Sequence, residues 1–191
     1  MRAHLLLVAL GCSALTHGQG RGVVFATYDD LVQGKGDTLG VFQEVGIHMG
    51  RYVLDFQQEE EKKKERVPCS EIWGFKVNEL LFRILEPDHV PLRLMTQGAV
   101  CYYENGLAHL RMWSDSTDVT MIDKGLRSYM SRELNSPIVP AVFTEDEASA
   151  SAVFRREHPQ FEHLFKCIGG EDDLLNTRQC VVDFEAMLEG P

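Results

Sequence analysis

Glu71-Ile72-Trp73-Gly74-Phe75-Lys76-Val77, then Asn78-Glu79, then Leu80-Leu81-Phe82-Arg83-Ile84-Leu85, is the stretch that decides the fold. Side chains alternate along a strand, so Trp73, Phe75 and Val77 share one face while Ile72, Gly74 and Lys76 share the other. Asn78 and Glu79 turn the chain into a second apolar run. From Val23 to Phe143 short runs rich in Val, Ile, Phe and Tyr alternate with turn residues, which predicts an antiparallel β-meander, as a sheet or a small open barrel.

Working outward, Thr27 is placed to cap a short helix beginning Tyr28-Asp29-Asp30-Leu31, with its acids at the positive end and Gly34 closing it. Strands follow at about Thr38 to His48 and Arg51 to Gln57. Glu59 to Arg66, acids and then mostly bases, reads as a solvated hairpin tip or a fraying turn. Downstream, Asn105-Gly106 supplies the two positive φ angles of a type I′ hairpin joining Val100–Glu104 to Leu107–Trp113. In that register Cys101 faces Leu110 and Tyr103 faces Ala108, an apolar face continuing to Met112. Tyr102 pairs with His109, and Val100 with Arg111, on a wetter face.

From Thr144 the periodicity becomes helical. Thr144 and Glu147 form a capping box for a helix with Ala148, Ala152 and Val153 on its apolar stripe, ending near Pro159. Pro159 opens a second helix carrying Phe161, Leu164, Phe165 and Ile168, stopped by Gly169 and Gly170. A third helix places Val181, Phe184 and Leu188 on one side. Its start lies at Asp173 or Asn176, and Asn176 with Gln179 is the better capping signature. A start at Asp173 would put Cys180 ~11 Å along the axis; a start at Asn176 puts it ~6 Å along, close enough to bond Cys167. A Cys167–Cys180 disulfide is therefore expected to pin a helical hairpin, stabilising it by ~3 kcal/mol.

The chain is 44% hydrophobic and 25% charged, an ordinary globular composition, and its 191 residues suit one domain after a leader. Arg2 and His4 precede the apolar run Leu5 to Leu10, small uncharged residues continue to Leu15, and Thr16 and Gly18 suit a signal peptidase. We place a signal peptide at 1–18, with cleavage after Gly20 the second choice. An α+β domain then spans 19–191, mainly β over 23–143 and helical over 144–189. The leader is shorter than the roughly 20 apolar residues of a spanning helix, and no later run reaches that length, so no transmembrane segment is expected after cleavage. Ala9-Leu10-Gly11-Cys12 loosely resembles a lipobox acylated at Cys12, although a larger aliphatic residue is expected where Ala9 stands. The net charge of −10 becomes −11 once Arg2 leaves, which opposes nucleic acid and anionic lipid as partners. Cys69, Cys101, Cys167 and Cys180 remain after cleavage, an even number that reads as disulfides in an exported chain. Cys69 with Cys101 is the remaining pairing, and the alternative is that some of the four are buried free thiols.

Site motifs are weak. There is no Gly-Lys-Ser/Thr phosphate loop, nucleophile elbow, zincin helix or paired Cys-x-x-Cys. Gly34-Lys35-Gly36-Asp37-Thr38 is better read as a plain turn. His163, Cys167 and Cys180 have zinc-ligand types, but thiols in an oxidising compartment pair sooner with each other, so no metal or cofactor is assigned. His158 precedes Pro159 as a cap, and His109 sits beside Tyr102 on a strand. Glu145, Asp146 and Glu147 favour a helix N-terminus over acid–base work. Trp73, Phe75, Tyr102, Tyr103 and Trp113 have the character to line a ligand groove, though core packing accounts for most of them.

Thr27-Tyr28-Asp29-Asp30-Leu31, Asp37-Thr38-Leu39, Ser70-Glu71-Ile72-Trp73-Gly74-Phe75 and Leu81-Phe82-Arg83-Ile84, in order behind a leader, resemble uncharacterised exported proteins of Bacteroidota-type bacteria. The likeness extends to the tail with Cys167 and Cys180. It implies a bacterial envelope setting and brings no activity or site. The expected function is a non-enzymatic binding or interaction module with an envelope protein or ligand as partner; the alternative is a secreted or periplasmic hydrolase. A hydrolase should bring at least two of His89, His109, His158 and His163 together with carboxylates, whereas a binding module should expose a broad apolar patch. Scattered histidines without such a patch would favour a structural role.

Overall fold

A computed structural model of the chain describes residues 20–58, 63–107, 110, 127–142, 146–170 and 173–190. The described strands are β1 (Arg21–Phe25), β2 (Asp37–His48), β3 (Arg51–Gln57), β4 (Lys64–Pro68), β5 (Gly74–Val77), β6 (Leu80–Leu85), β7 (Val90–Gln97), β8 (Cys101–Asn105), β9 (Ser128–Ser131) and β10 (Val139–Pro140). The described helices are α1 (Tyr28–Gln33), α2 (Ala150–Glu157), α3 (Glu162–Ile168) and α4 (Leu174–Glu189). The fold is thus α+β, with helices following an antiparallel sheet in the order β10-β9-β8-β7-β6-β5-β1-β2-β3-β4. From β5 to β10 successive described strands are neighbours, but β1 inserts between β5 and β2 and so lies inside the sheet.

The β5–β6 pair forms where its alternation places it. Phe75 sits opposite Phe82, both wholly buried, with rings stacked at a centroid distance of 4.9 Å. A Cβ on Gly74 would stand 2.5 Å from the Phe82 carbonyl oxygen, so only glycine lets the strands approach this closely. Asn78 takes φ of 53° in the turn between them, a conformation asparagine tolerates well.

Three buried clusters fill the two faces. Val24, Phe42, Leu54, Phe56, Phe75 and Phe82 are among those that pack over the β1–β6 half, joined by Leu110 from the segment after β8. Tyr102 and Met130 meet Phe161, Phe165, Val181 and Phe184 of the helical tail. On the opposite face Leu81, Leu92, Cys101, Tyr103 and Leu134 pack together, with Tyr28 and Leu31 of α1 at their margin.

Several expectations are corrected. Asn105-Gly106 does not make a hairpin: Asn105 stays in β8 opposite Leu92, and the new neighbour of β8 is β9. Asn105 Oδ1 accepts from the Leu107 N–H at 3.0 Å, starting a helical turn that takes Leu110 into the β1–β6 cluster. The short side chain satisfied the backbone locally and displaced the turn. Ala108, His109, Arg111, Met112 and Trp113 lie outside the described residues. Two positive φ angles of the type I′ kind occur instead at Met49 (51°) and Gly50 (75°), between β2 and β3. The face expected to be wet carries Tyr102, only 2% exposed, because the helical tail covers it. Lys64, Glu65 and Arg66 lie in β4, paired with β3, and not in a turn. The first tail helix begins at Ala150, capped by the Ser149 hydroxyl, and not at the expected Thr144, which lies outside the described residues with Glu145. Leu188 is 54% exposed, since only Val181 and Phe184 of its expected stripe reach the core.

The third helix starts at Leu174, with Asp173 as its cap, and not at Asn176. The Cys167–Cys180 disulfide forms regardless, with Cα atoms 5.7 Å apart. Axial distance along α4 does not decide the bond, because α3 and α4 pack side by side and Cys180 lies alongside the end of α3 from the second turn of α4. Asn176 serves instead as a clamp: its Nδ2 donates to the Cys167 and Ile168 carbonyls at the end of α3. Cys69 and Cys101 do not pair. Both are buried free thiols, in clusters on opposite faces of the sheet.

Candidate functional site

Local sequence builds one end of the concavity. Thr27 Oγ1 accepts from the Asp30 N–H, and Asp30 Oδ2 accepts in return from the Thr27 N–H, a reciprocal cap that fixes the first turn of α1 and projects Tyr28 and Asp29. A 3₁₀ turn over Cys69–Glu71 carries Ser70 and Glu71, anchored by the buried Cys69 below. Trp73 joins the two: its N–H donates to the Phe25 carbonyl at 2.9 Å, and its own carbonyl accepts from the Ile84 N–H at 3.0 Å.

The indole is held from several sides. Tyr28 packs against it at 5.3 Å, tilted by 52°. Its Nε1–H donates to Asn135 Oδ1 at 3.2 Å, bridging 62 residues of sequence. The Arg83 guanidinium lies 5.6 Å from the ring centroid. Ser131 Oγ donates to the Glu133 carbonyl, so the Tyr103 hydroxyl donates to Ser131 Oγ. Buried Nε and Nη1 of Arg83 have no hydrogen-bond partner among the described residues.

An open cavity of about 460 Å³ results, lined by Tyr28, Asp29, Glu71, Trp73, Glu86 and Asn135 among others. That volume lies in the range of roughly 300–1,000 Å³ usual for small-ligand sites. Among the described residues its lining includes no Lys, Arg, His or Cys. The three carboxylates are exposed and make no ion pair with any described residue. Among the described residues no three His, Cys, Asp or Glu side chains converge as metal ligands.

The sequence-marked residues otherwise scatter. His158 caps α2 and packs on Phe154 and Phe161. His163 is exposed on α3, His89 lies in the turn after β6 with φ of 52°, and His109 is outside the described residues. With Cys167 and Cys180 bonded to each other, the zinc arrangement does not form. Phe75, Tyr102 and Tyr103 are core side chains, leaving Trp73 as the described aromatic of that set at a cavity. The exposed apolar residues Val32, Ile47, Met49, Leu175, Val182, Met187 and Leu188 sit on α1, the β2–β3 tip and α4. At ~100° per residue, those on α4 point to several sides of the helix instead of forming one stripe. Sequence reasoning missed Tyr28, Glu86 and Asn135 as site residues; for Asn135 no local signal exists, since its partner is Trp73. No protein-family model, curated protein or solved structure matches the chain.

Proposed function

We propose that this chain is a non-enzymatic binding module, exported to the bacterial envelope, whose recognition site is the Tyr28–Trp73 cavity. The observation that carries the reading is a tryptophan pinned by Asn135 and Arg83 yet bordering a cavity of about 460 Å³. Immobilising a large ring at a concave, solvent-reached position reduces the entropy lost when a ligand packs on it. The described histidines are dispersed and the described exposed apolar residues form no broad stripe, the outcome that favours a structural role over either expected function; what supports recognition against it is this cavity. The hydrolase alternative would need an activated nucleophile, and among the described residues the lining has three hydroxyl-bearing side chains, Thr27, Tyr28 and Ser70, with no imidazole, thiol or amine beside them.

Export draws on the leader-like N-terminus and on the Cys167–Cys180 disulfide, which persists in oxidising compartments. No described helix is long and apolar enough to cross a membrane. The Gly20 carbonyl accepts from the Phe42 N–H at 3.0 Å, so a mature chain beginning at Gln19 keeps a bond that cleavage after Gly20 would remove. N-terminal sequencing of the recovered protein should read Gln19; an intact Met1 would sink the export reading. An NMR screen of peptides, saccharides and amines against isotope-labelled protein should shift amides around 26–29 and 70–73. Shifts scattered over the surface, or turnover of any screened compound, would remove the binding-module reading.

A further inference from the structure

We propose that the outer half of β2 pairs antiparallel with β2 of a second copy of this chain, centred on Gly46, so that two sheets join edge to edge in a symmetric dimer. β1 covers β2 only as far as Val41, and the Gly20 carbonyl takes the next outward N–H, that of Phe42. From Glu44 to His48, β2 pairs with β3 on one side and with no described strand on the other. β4 joins β3 only from Val53 onward, so among the described residues the tip is a two-stranded ribbon, an arrangement marginal by itself in water. A chain beginning at Gln19 keeps only that residue ahead of Gly20, too little to extend β1 along Glu44–His48. The other edges are guarded: β4 carries Lys64, Arg66 and Pro68, and β10 is only Val139–Pro140, whereas Gln43–His48 has neither lysine nor proline.

The turn sets the hydrogen-bonding phase of this edge. The Met49-Gly50 loop makes His48 and Arg51 a hydrogen-bonded pair, so His48, Gly46 and Glu44 turn their backbone groups to β3 while Val45 and Ile47 direct theirs outward. With Gly46 on the axis, Val45 of one copy lies opposite Ile47 of the other and exchanges both backbone bonds with it. The same register sets Glu44 opposite His48, so the segment is complementary to itself in hydrogen bonding, apolar contact and charge. Val45 already packs against the β1–β6 cluster, and Ile47, on the same face, is 66% exposed, so pairing seats Ile47 at the margin of the other copy's core. Nothing described within the chain requires glycine at 46: its φ is not positive, and a Cβ there would meet only Val53 Cγ2 at 3.7 Å. At an axis where Cα atoms approach to about 4.5 Å, the missing side chain leaves room for the second strand.

Sedimentation of the recovered protein should show a reversible monomer–dimer equilibrium in the micromolar range, as befits a small interface. On dilution the Val45 and Ile47 amides should lose protection from hydrogen exchange, while those of Gly46 and His48, bonded to β3, keep theirs. His48→Glu sets like charges opposite each other and should weaken the dimer roughly threefold to tenfold, whereas His48→Lys should tighten it. Gly46→Cys should be linked into a covalent dimer by oxidised glutathione, and His48→Cys, displaced from the axis, should not. The free thiols Cys69 and Cys101 are buried and cannot supply that link. A protein still monomeric at about 1 mM overturns the proposal, whether the Val45 and Ile47 amides then exchange freely or stay protected by the chain's own residues. A dimer in which the two charge variants associate alike, or in which both cysteine variants cross-link equally, overturns it as well.

Discussion

Cys69 and Cys101 are sealed on opposite faces of the sheet, and burial controls their chemistry. Desolvation disfavours the thiolate, pushing Cys69 up to about 12 and Cys101 upward as well, the latter opposed by hydrogen bonds to Tyr103 and Ser131. Native protein at neutral pH should therefore leave both unmodified by iodoacetamide, and denatured but unreduced protein should be alkylated at these two and not at Cys167 or Cys180; mass mapping of the peptides decides. Asp55 is 5% exposed in β3, opposite Arg66 in β4, with contacts of 2.8 and 3.0 Å. Hydrogen bonds from Arg66, together with its charge, hold the Asp55 carboxyl below its ordinary 3.8 even though burial acts the other way. A folded value below the unfolded one means the pair stabilises above the unfolded value and loses that contribution as pH falls through the folded value. Asp55→Asn should accordingly flatten the acid limb of stability against pH in urea melts run from about pH 6 to about pH 2. Glu104 is wholly buried and is gripped by Arg178, Tyr102 and Ser128 through a linked set of bonds. Arg178→Ala removes the ion-pair partner of that buried carboxylate, which keeps the Tyr102 hydroxyl, and should cost near the lower end of ~3–5 kcal/mol, because water also reaches the place where the part-exposed guanidinium stood. A loss under about 1 kcal/mol in chemical denaturation would mean the carboxylate is satisfied without Arg178.

At the scale of elements, α3 and α4 are joined by a covalent clip and a polar clamp that act at the same place. The disulfide spans a sequence separation of 13, and removing it by Cys167→Ala with Cys180→Ala should lower stability by ~3 kcal/mol. Asn176→Ala removes the donor to the last carbonyls of α3, and Asp173→Ala removes the acceptor for the first amides of α4. Each should cost ~0.5–2 kcal/mol, and because both residues act at one helix junction their sum should deviate from additivity in a double-mutant cycle. Capping chemistry makes such ends readable in a sequence, and α1 follows that rule at both Thr27 and Gly34. Asn176 carries the same chemistry in a different role, because a side chain able to cap its own helix can also cap a neighbour that packs beside it. Asn105 deviated for a related reason: its side chain bonded Leu107 and ended the strand where a tight hairpin was expected.

For the molecule as a whole, the consequential feature is that the first strand lies inside the sheet. Deleting residues 20–25 would open a gap between β5 and β2 and unpair both neighbours, so such a chain should show neither the native far-UV spectrum nor a cooperative melt. The edge strand β4, by contrast, carries Lys64, Arg66 and Pro68, residues that discourage pairing with another chain. The sequence by itself determined the elements whose signals are local: the alternation of β5 and β6, the cap of α1 and the helical periodicity of the C-terminal tail; it also paired Cys167 with Cys180, though from a helix start that the structure moves to Leu174. Only the tertiary structure decided that β1 enters between β5 and β2, that Tyr102 faces helices instead of water, and that Asn135 and Glu86 join Tyr28 and Trp73 around one cavity. Periodicity and capping act over a few residues and are written in neighbouring side chains. Strand order and cavity walls are set by burial and register between segments far apart in the chain, where one stretch is compatible with several partners until the whole sheet has closed.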